Sequence, residues 1–264
     1  MSDTFIQRDV TLSAGSLRVA EAGTGRPLLH LHSAGGPRFS PVVRSLTVKH
    51  RVICPFVPGF DGTPSLSNLK TITDLADLAD LYAEFIHKEL GGEKADVMAE
   101  SFGGWIALWL AVRHPDLVDH LVLEGPAGLR AGGKGGLPAD PAERHRQLYA
   151  VPERAPAETR SDAVLDANRK VVIAFGAGVA FDQVLADTLD TIQARTLIVM
   201  GYKEQIIPVE TGHLLKSKIP HSHLTYVFGA AHAIEFDQPK RVGTLVADFL
   251  ERGESFIVRE SQVA

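Results

Sequence analysis

Six short runs of almost unbroken apolar sequence, at residues 28–32, 51–55, 95–99, 121–124, 196–200 and 224–228, set the tightest limit on the fold. Strands with one wet face alternate apolar and polar residues, whereas runs without alternation belong to strands covered on both faces. Segments of helical period lie between them. From 74 to 90, apolar residues at 75, 78, 79, 82, 85 and 86 share one face, with Thr73 as the expected N-cap. Residues 102–113 are apolar nearly all round, which predicts a buried helix ending at His114-Pro115. Residues 209–218 and 240–250 are further helical candidates. A hairpin is expected ahead of all this, from strands at 5–12 and 17–21 joined by Ser13-Ala14-Gly15-Ser16. Alternating strand and helix predict an α/β fold class, with a mostly parallel central β-sheet flanked by helices.

The rhythm breaks between residues 126 and 190. A Gly-rich stretch at 128–137, either an ordered or a disordered loop, leads into helical patterns at 141–150 and 162–175. The expected division is a core of residues 1–125 and 191–264 with an inserted helical cap at 126–190, which suits a chain of 264 residues. Charge narrows the partners. With 27 Lys+Arg against 32 Asp+Glu, the net charge of −5 argues against nucleic acid or an anionic membrane as partner. The single cysteine, Cys54, excludes an intrachain disulfide and fits a reducing compartment; in an apolar strand it is expected to be buried and inert. No run of about 18 apolar residues spans a bilayer, and MSDTFIQRDV lacks an apolar signal core. A cytoplasmic monomer or homodimer acting on a small molecule is expected.

Chemistry concentrates in three places. The strand at 95–99 runs into Glu100-Ser101-Phe102-Gly103-Gly104 and at once into the buried helix. Small residues around a serine in that setting allow the sharp turn of a nucleophile elbow, which exposes the hydroxyl at the N-terminus of a helix. The common form is G-x-S-x-G, and Ala99 departs from it by one methyl group. Upstream, Leu31-His32-Ser33-Ala34-Gly35-Gly36 ends a strand in small residues, where backbone must approach a reacting oxygen. Ala34 N–H and Phe102 N–H are the candidate oxyanion donors, and His32 is expected to orient this loop. Downstream, Glu204 lies in the loop after the strand at 196–200, and His232 follows the strand at 224–228. The chain order Ser, acid, His matches the order used by one class of hydrolase.

On these motifs the chain resembles the α/β-hydrolase superfamily, in its lidded serine-hydrolase branch of esterases and meta-cleavage-product hydrolases, over residues 5–250. In that family the loop after the strand commonly reads G-x-x-D-x-x-x-P; here it reads Gly201-Tyr202-Lys203-Glu204-Gln205-Ile206-Ile207-Pro208, which puts Glu204 in the place of the aspartate. Glu124, at the end of the strand before the cap, is the alternative acid. The resemblance implies a triad of Ser101, His232 and Glu204, and no cofactor.

Trp105 and Arg169 are candidate substrate-binding residues, the latter as a cation for a substrate carboxylate. No metal site is expected: His30-x-His32 and His221-x-His223 lack a third ligand at suitable spacing. Gly132-Gly133-Lys134-Gly135-Gly136 lacks the strand and the Ser or Thr of a P-loop. The expected activity is hydrolysis of a small or medium carboxylic ester through an acyl-enzyme. The alternatives are a carbon–carbon bond hydrolase of meta-cleavage type and a non-catalytic binding protein on the same fold.

Overall fold

The computed structural model describes residues 4–63, 72–133, 135–176 and 178–257. Lys134 lies outside them. Eight strands form one sheet in the order β1-β2-β4-β3-β5-β6-β7-β8: β1 (Ile6–Leu12), β2 (Gly15–Ala22), β3 (Arg26–Leu31), β4 (His50–Pro55), β5 (Ala95–Glu100), β6 (Val118–Glu124), β7 (Arg195–Gly201) and β8 (Ser222–Val227). The hairpin β1–β2 is antiparallel, as is the pairing of β2 with β4; from β4 to β8 every neighbour runs parallel. Its turn is tighter than expected. Leu12 already pairs with Gly15, so Ser13 and Ala14 alone make the reversal and Gly15 belongs to β2.

Because successive side chains of a strand point to opposite faces, each strand feeds two cores. Leu29, Leu31, Val97, Ala99, Leu121 and Leu123 pack beneath α2 (Leu75–Leu90) and α3 (Phe102–Arg113). Leu28, Met98, Val122, Leu197 and Val199 meet α1 (Pro41–Leu46) and α9 (Pro239–Arg252) on the other side. All six apolar positions read in α2 are buried, and α3 is buried on nearly every side. Asp74, not Thr73, is the N-cap of α2: its carboxylate accepts the Asp77 N–H at 2.9 Å, while the Thr73 hydroxyl binds the Asp77 side chain. Cys54 is buried in β4, which pushes its thiol pKa up.

Between β6 and β7 the chain leaves the sheet and builds α4 (Pro141–Leu148), α5 (Asp162–Gly176) and α6 (Gln183–Ala186). The Gly-rich stretch is tied down on both sides of residue 134. Arg130 N–H donates to Ala180 O at 2.9 Å, and Gly136 N–H to Ile206 O at 2.8 Å. After β7 come α7 (Val209–Lys218), then β8, α8 (Ile234–Asp237) and α9. No described helix is long and apolar enough to cross a membrane. Parallel strands end on one side, so the tips of β3, β5, β6, β7 and β8 share an edge, where open α/β sheets bind their ligands.

Candidate active site

Ser101 stands between β5 and α3 with φ 48° and ψ −110°, a conformation that a residue with a side chain rarely adopts. Two glycines make it attainable. A Cβ on Gly103 would lie 2.1 Å from Leu31 O, and one on Gly104 would lie 2.7 Å from the Pro126 ring. The turn therefore rests directly on the ends of β3 and β6. Ser101 N–H donates to Glu124 O at 2.9 Å, and Ala127 N–H to Ser101 O at 2.9 Å. Ala99 is fully buried, paired with Leu31 and Leu123, so its methyl group is accommodated. Phe102 opens α3, where first-turn N–H groups have no partner inside the helix and the helix dipole favours negative charge.

The segment joining Glu124 to Ala127, hydrogen-bonded to Ser101 at both ends, also touches the third motif. Gly125, at φ 47°, packs so closely that a Cβ there would lie 3.2 Å from both Glu204 Oε2 and His232 Nδ1. His232 Nδ1 and Glu204 Oε2 are 2.7 Å apart. The other carboxylate oxygen, Glu204 Oε1, accepts the N–H groups of Ile206 (2.8 Å) and Ile207 (3.2 Å). Burial opposes ionisation of Glu204, but the charge and hydrogen bond of His232 and those two N–H groups outweigh it and hold its pKa below the usual carboxylate value. For His232, burial favours the neutral ring; Glu204, with Glu100 further off, outweighs it and raises the pKa. In this contact the carboxylate sets the tautomer and orientation of the imidazole ring, an arrangement able to serve as a general base.

Glu124 takes no part in that contact. Its Oε1 is buried without a partner among the described residues, and burial, then the charge of Glu100, pushes its pKa well up. Glu235 on α8 is likewise buried and raised, first by burial and then by Glu124 and Glu100. Glu100, the register partner of Glu124, is pushed up to about 7 by burial, against the opposing pull of His232 and Arg38. Three carboxyl groups thus lie under the edge that carries Ser101. Sequence patterns gave no sign of this, because each glutamate simply closes or follows an apolar run.

The loop after β3 is held by His32. Its Nε2 accepts Val57 N–H at 3.0 Å, so the proton sits on Nδ1, which donates to Ser33 O at 2.9 Å. Burial lowers its pKa to about 4, so the ring is neutral and both nitrogens are committed to backbone. Gly36 N–H donates to the same carbonyl at 3.0 Å. A peptide is planar and trans, so fixing Ser33 C=O aims Ala34 N–H the opposite way. His30 is also buried, its pKa lowered to about 3 by burial.

The two candidate substrate-binding residues lie apart from these groups in different surroundings. Arg169 lies on the exposed face of α5 and pairs with Asp166 one turn away, at 2.7 Å. Trp105 is buried: its indole N–H donates to Asp182 Oδ2 at 2.9 Å, and Gly128 and Gly176 pack on its ring. Trp109 donates to the same oxygen at 3.0 Å. Asp237 is a residue the sequence did not disclose. Its carboxylate accepts Ala231 N–H at 2.8 Å, Ala150 N–H at 2.9 Å and Val151 N–H at 2.9 Å, joining the His232 loop to the segment after α4.

Residues 26–143 match the family model described as alpha/beta hydrolase fold. The 2-hydroxymuconate semialdehyde hydrolase of Pseudomonas sp. (strain CF600) is 28% identical over 274 residues, covering 95% of each chain. The pimeloyl-[acyl-carrier protein] methyl ester esterase of Neisseria meningitidis serogroup B (strain ATCC BAA-335 / MC58) is 28% identical over 249 residues, 86% of this chain and 92% of the relative. Among solved structures, a serine hydrolase from the polyaromatic-hydrocarbon-degrading bacterium Cycloclasticus zankles superposes with TM-score 0.79 at 18% identity, over 97% of this chain and 100% of the other.

Proposed function

From these likenesses we propose that this chain is a serine hydrolase of the α/β-hydrolase superfamily, acting on a small or medium carboxylic ester. Ser101 attacks the carbonyl carbon. His232, oriented through Nδ1 by Glu204, removes the hydroxyl proton on Nε2 and returns it to the leaving alcohol. Ala34 and Phe102 N–H groups hold the oxyanion, and water releases the acyl group from Ser101 by the reverse proton path. Residues 126–190 act as a cap over the shared strand edge. The observation that carries the reading is Ser101 at φ 48°, since such strain persists only where the surrounding structure imposes it.

A carbon–carbon hydrolase is the second reading, favoured by the likeness to a 2-hydroxymuconate semialdehyde hydrolase along 95% of the chain. That chemistry needs a cation for the substrate carboxylate, and Arg169 lies exposed on α5 beside Asp166. Turnover of p-nitrophenyl esters beside a vinylogous keto-acid separates the two. A fluorophosphonate probe is expected to label the wild-type chain and to leave Ser101→Ala unlabelled; an unlabelled wild type would favour a binding protein on the same fold. Glu204→Gln is expected to cost at least about a hundredfold in kcat, far more than Glu124→Gln. The reverse order overturns the choice of acid.

A further inference from the structure

The cap segment also grips the loop that carries Ala34. Arg160, just ahead of α5, donates from Nη1 to Gly35 O and lies 3.3 Å from Asp61 Oδ1. Its Nε is held by Glu158 at 2.9 Å. Asn168, buried in α5, closes the same gap from the other side: Asp61 N–H donates to its Oδ1 at 2.9 Å, and its Nδ2 donates to Asp61 Oδ1 at 2.8 Å. Asp61 sits in the left-handed region, φ 49° and ψ 39°. Gly36, at φ 83°, is walled in by the three side chains. A Cβ there would lie 2.3 Å from Arg160 Nη1, 3.2 Å from Asn168 Nδ2 and 3.3 Å from Asp61 Oδ1.

Two peptide planes connect this grip to the reacting oxygen. Gly35 C=O and Gly36 N–H belong to one planar trans unit, so a donor on Gly35 O fixes the direction of Gly36 N–H. That N–H donates to Ser33 O, which belongs to the unit two back, shared with Ala34 N–H, and so fixes that N–H. His32 secures this second plane from inside the core, and Arg160 secures the first from the cap side.

We propose that Arg160, Asn168 and Asp61 are positioning residues through which the cap segment sets the aim of Ala34 N–H at the developing oxyanion. The inference rests on the reading of Ser101 as nucleophile and Ala34 as oxyanion donor. A displaced donor loses transition-state stabilisation while ground-state binding persists.

The test is fluorophosphonate labelling of Ser101, in which Oγ attacks phosphorus, fluoride leaves and the proton passes to the base, together with the affinity of an alkylboronic acid that forms a tetrahedral adduct. Arg160→Met and Asn168→Ala are each expected to lower the maximal labelling rate about ten- to a hundredfold, with the half-saturating probe concentration within about threefold. Boronate affinity should fall in parallel. Arg160→Lys should recover part of the loss, and Lys170→Met, on the exposed face of α5, should match wild type. A merely structural role would lower the melting temperature without dividing rate from saturation. If Asn168→Ala does not fold, Arg160→Met carries the test alone. Wild-type rate and boronate affinity, within twofold, in the folded variants overturn the clamp and leave the nucleophile standing. Labelling that survives in Ser101→Ala overturns the reading beneath it.

Discussion

At the scale of single residues, the 2.7 Å contact of His232 with Glu204 has a signed consequence for pH. As the proposed base, His232 accepts a proton only when its ring is neutral, and its pKa is raised above the ordinary value. Activity is therefore expected to fall on the acid side with a midpoint above about 6.5. Glu204→Gln removes the raising charge, so the residual activity should show a lower midpoint; a pH profile of kcat/KM reads both. An unmoved midpoint would mean that another group governs the limb, Glu100 at about 7 being the nearest rival. Glu204 itself was legible as an acid in a loop after a strand. That Glu204 rather than Glu124 contacts His232 was not, because that depends on which carboxylate reaches Nδ1 in space.

At the scale of elements, the turn from β5 into α3 stands on the missing side chain of Gly103. Gly103→Ala would drive a Cβ to 2.1 Å from Leu31 O and is expected to cost about 3 kcal/mol or more. Gly176→Ala, whose Cβ would meet Trp105 at 3.6 Å, should stay within about 1 kcal/mol. Denaturant midpoints of the two variants check the contrast. The strands and long helices were readable because period and apolar runs are local properties. The six-residue α1 escaped, being too short to show a period, although Ser40 before Pro41 is a cap signal and Ser40 Oγ accepts Val43 N–H at 3.1 Å. The Asp61–Asn168 contact escaped for another reason: its partners stand 107 positions apart. No local pattern encodes such a pair.

Across the whole molecule, the carboxyl groups of buried Glu124 and Glu235 and of partly buried Glu100 make stability depend on pH. Each has a raised pKa when folded. The folded chain then holds protons that the unfolded chain has released, so stability is fully present below the unfolded carboxyl value and is lost as pH rises through the folded one. For Glu100 the loss runs from about 4.5 to about 7. Each unit of pH in such a window costs about 1.4 kcal/mol per group. The melting temperature is expected to decline from mildly acidic to mildly alkaline buffer. Glu124→Gln, neutral at every pH, should raise it at the alkaline end and flatten the decline; an equally steep profile would count against the idea. One further consequence follows from Asp182. The chain has two tryptophans, and both indole N–H groups end on that single carboxylate oxygen. Every tryptophan emitter therefore sits on the seam between α3 and the segment carrying α6, so the intrinsic fluorescence of the unlabelled protein is an optical gauge of whether that seam is closed.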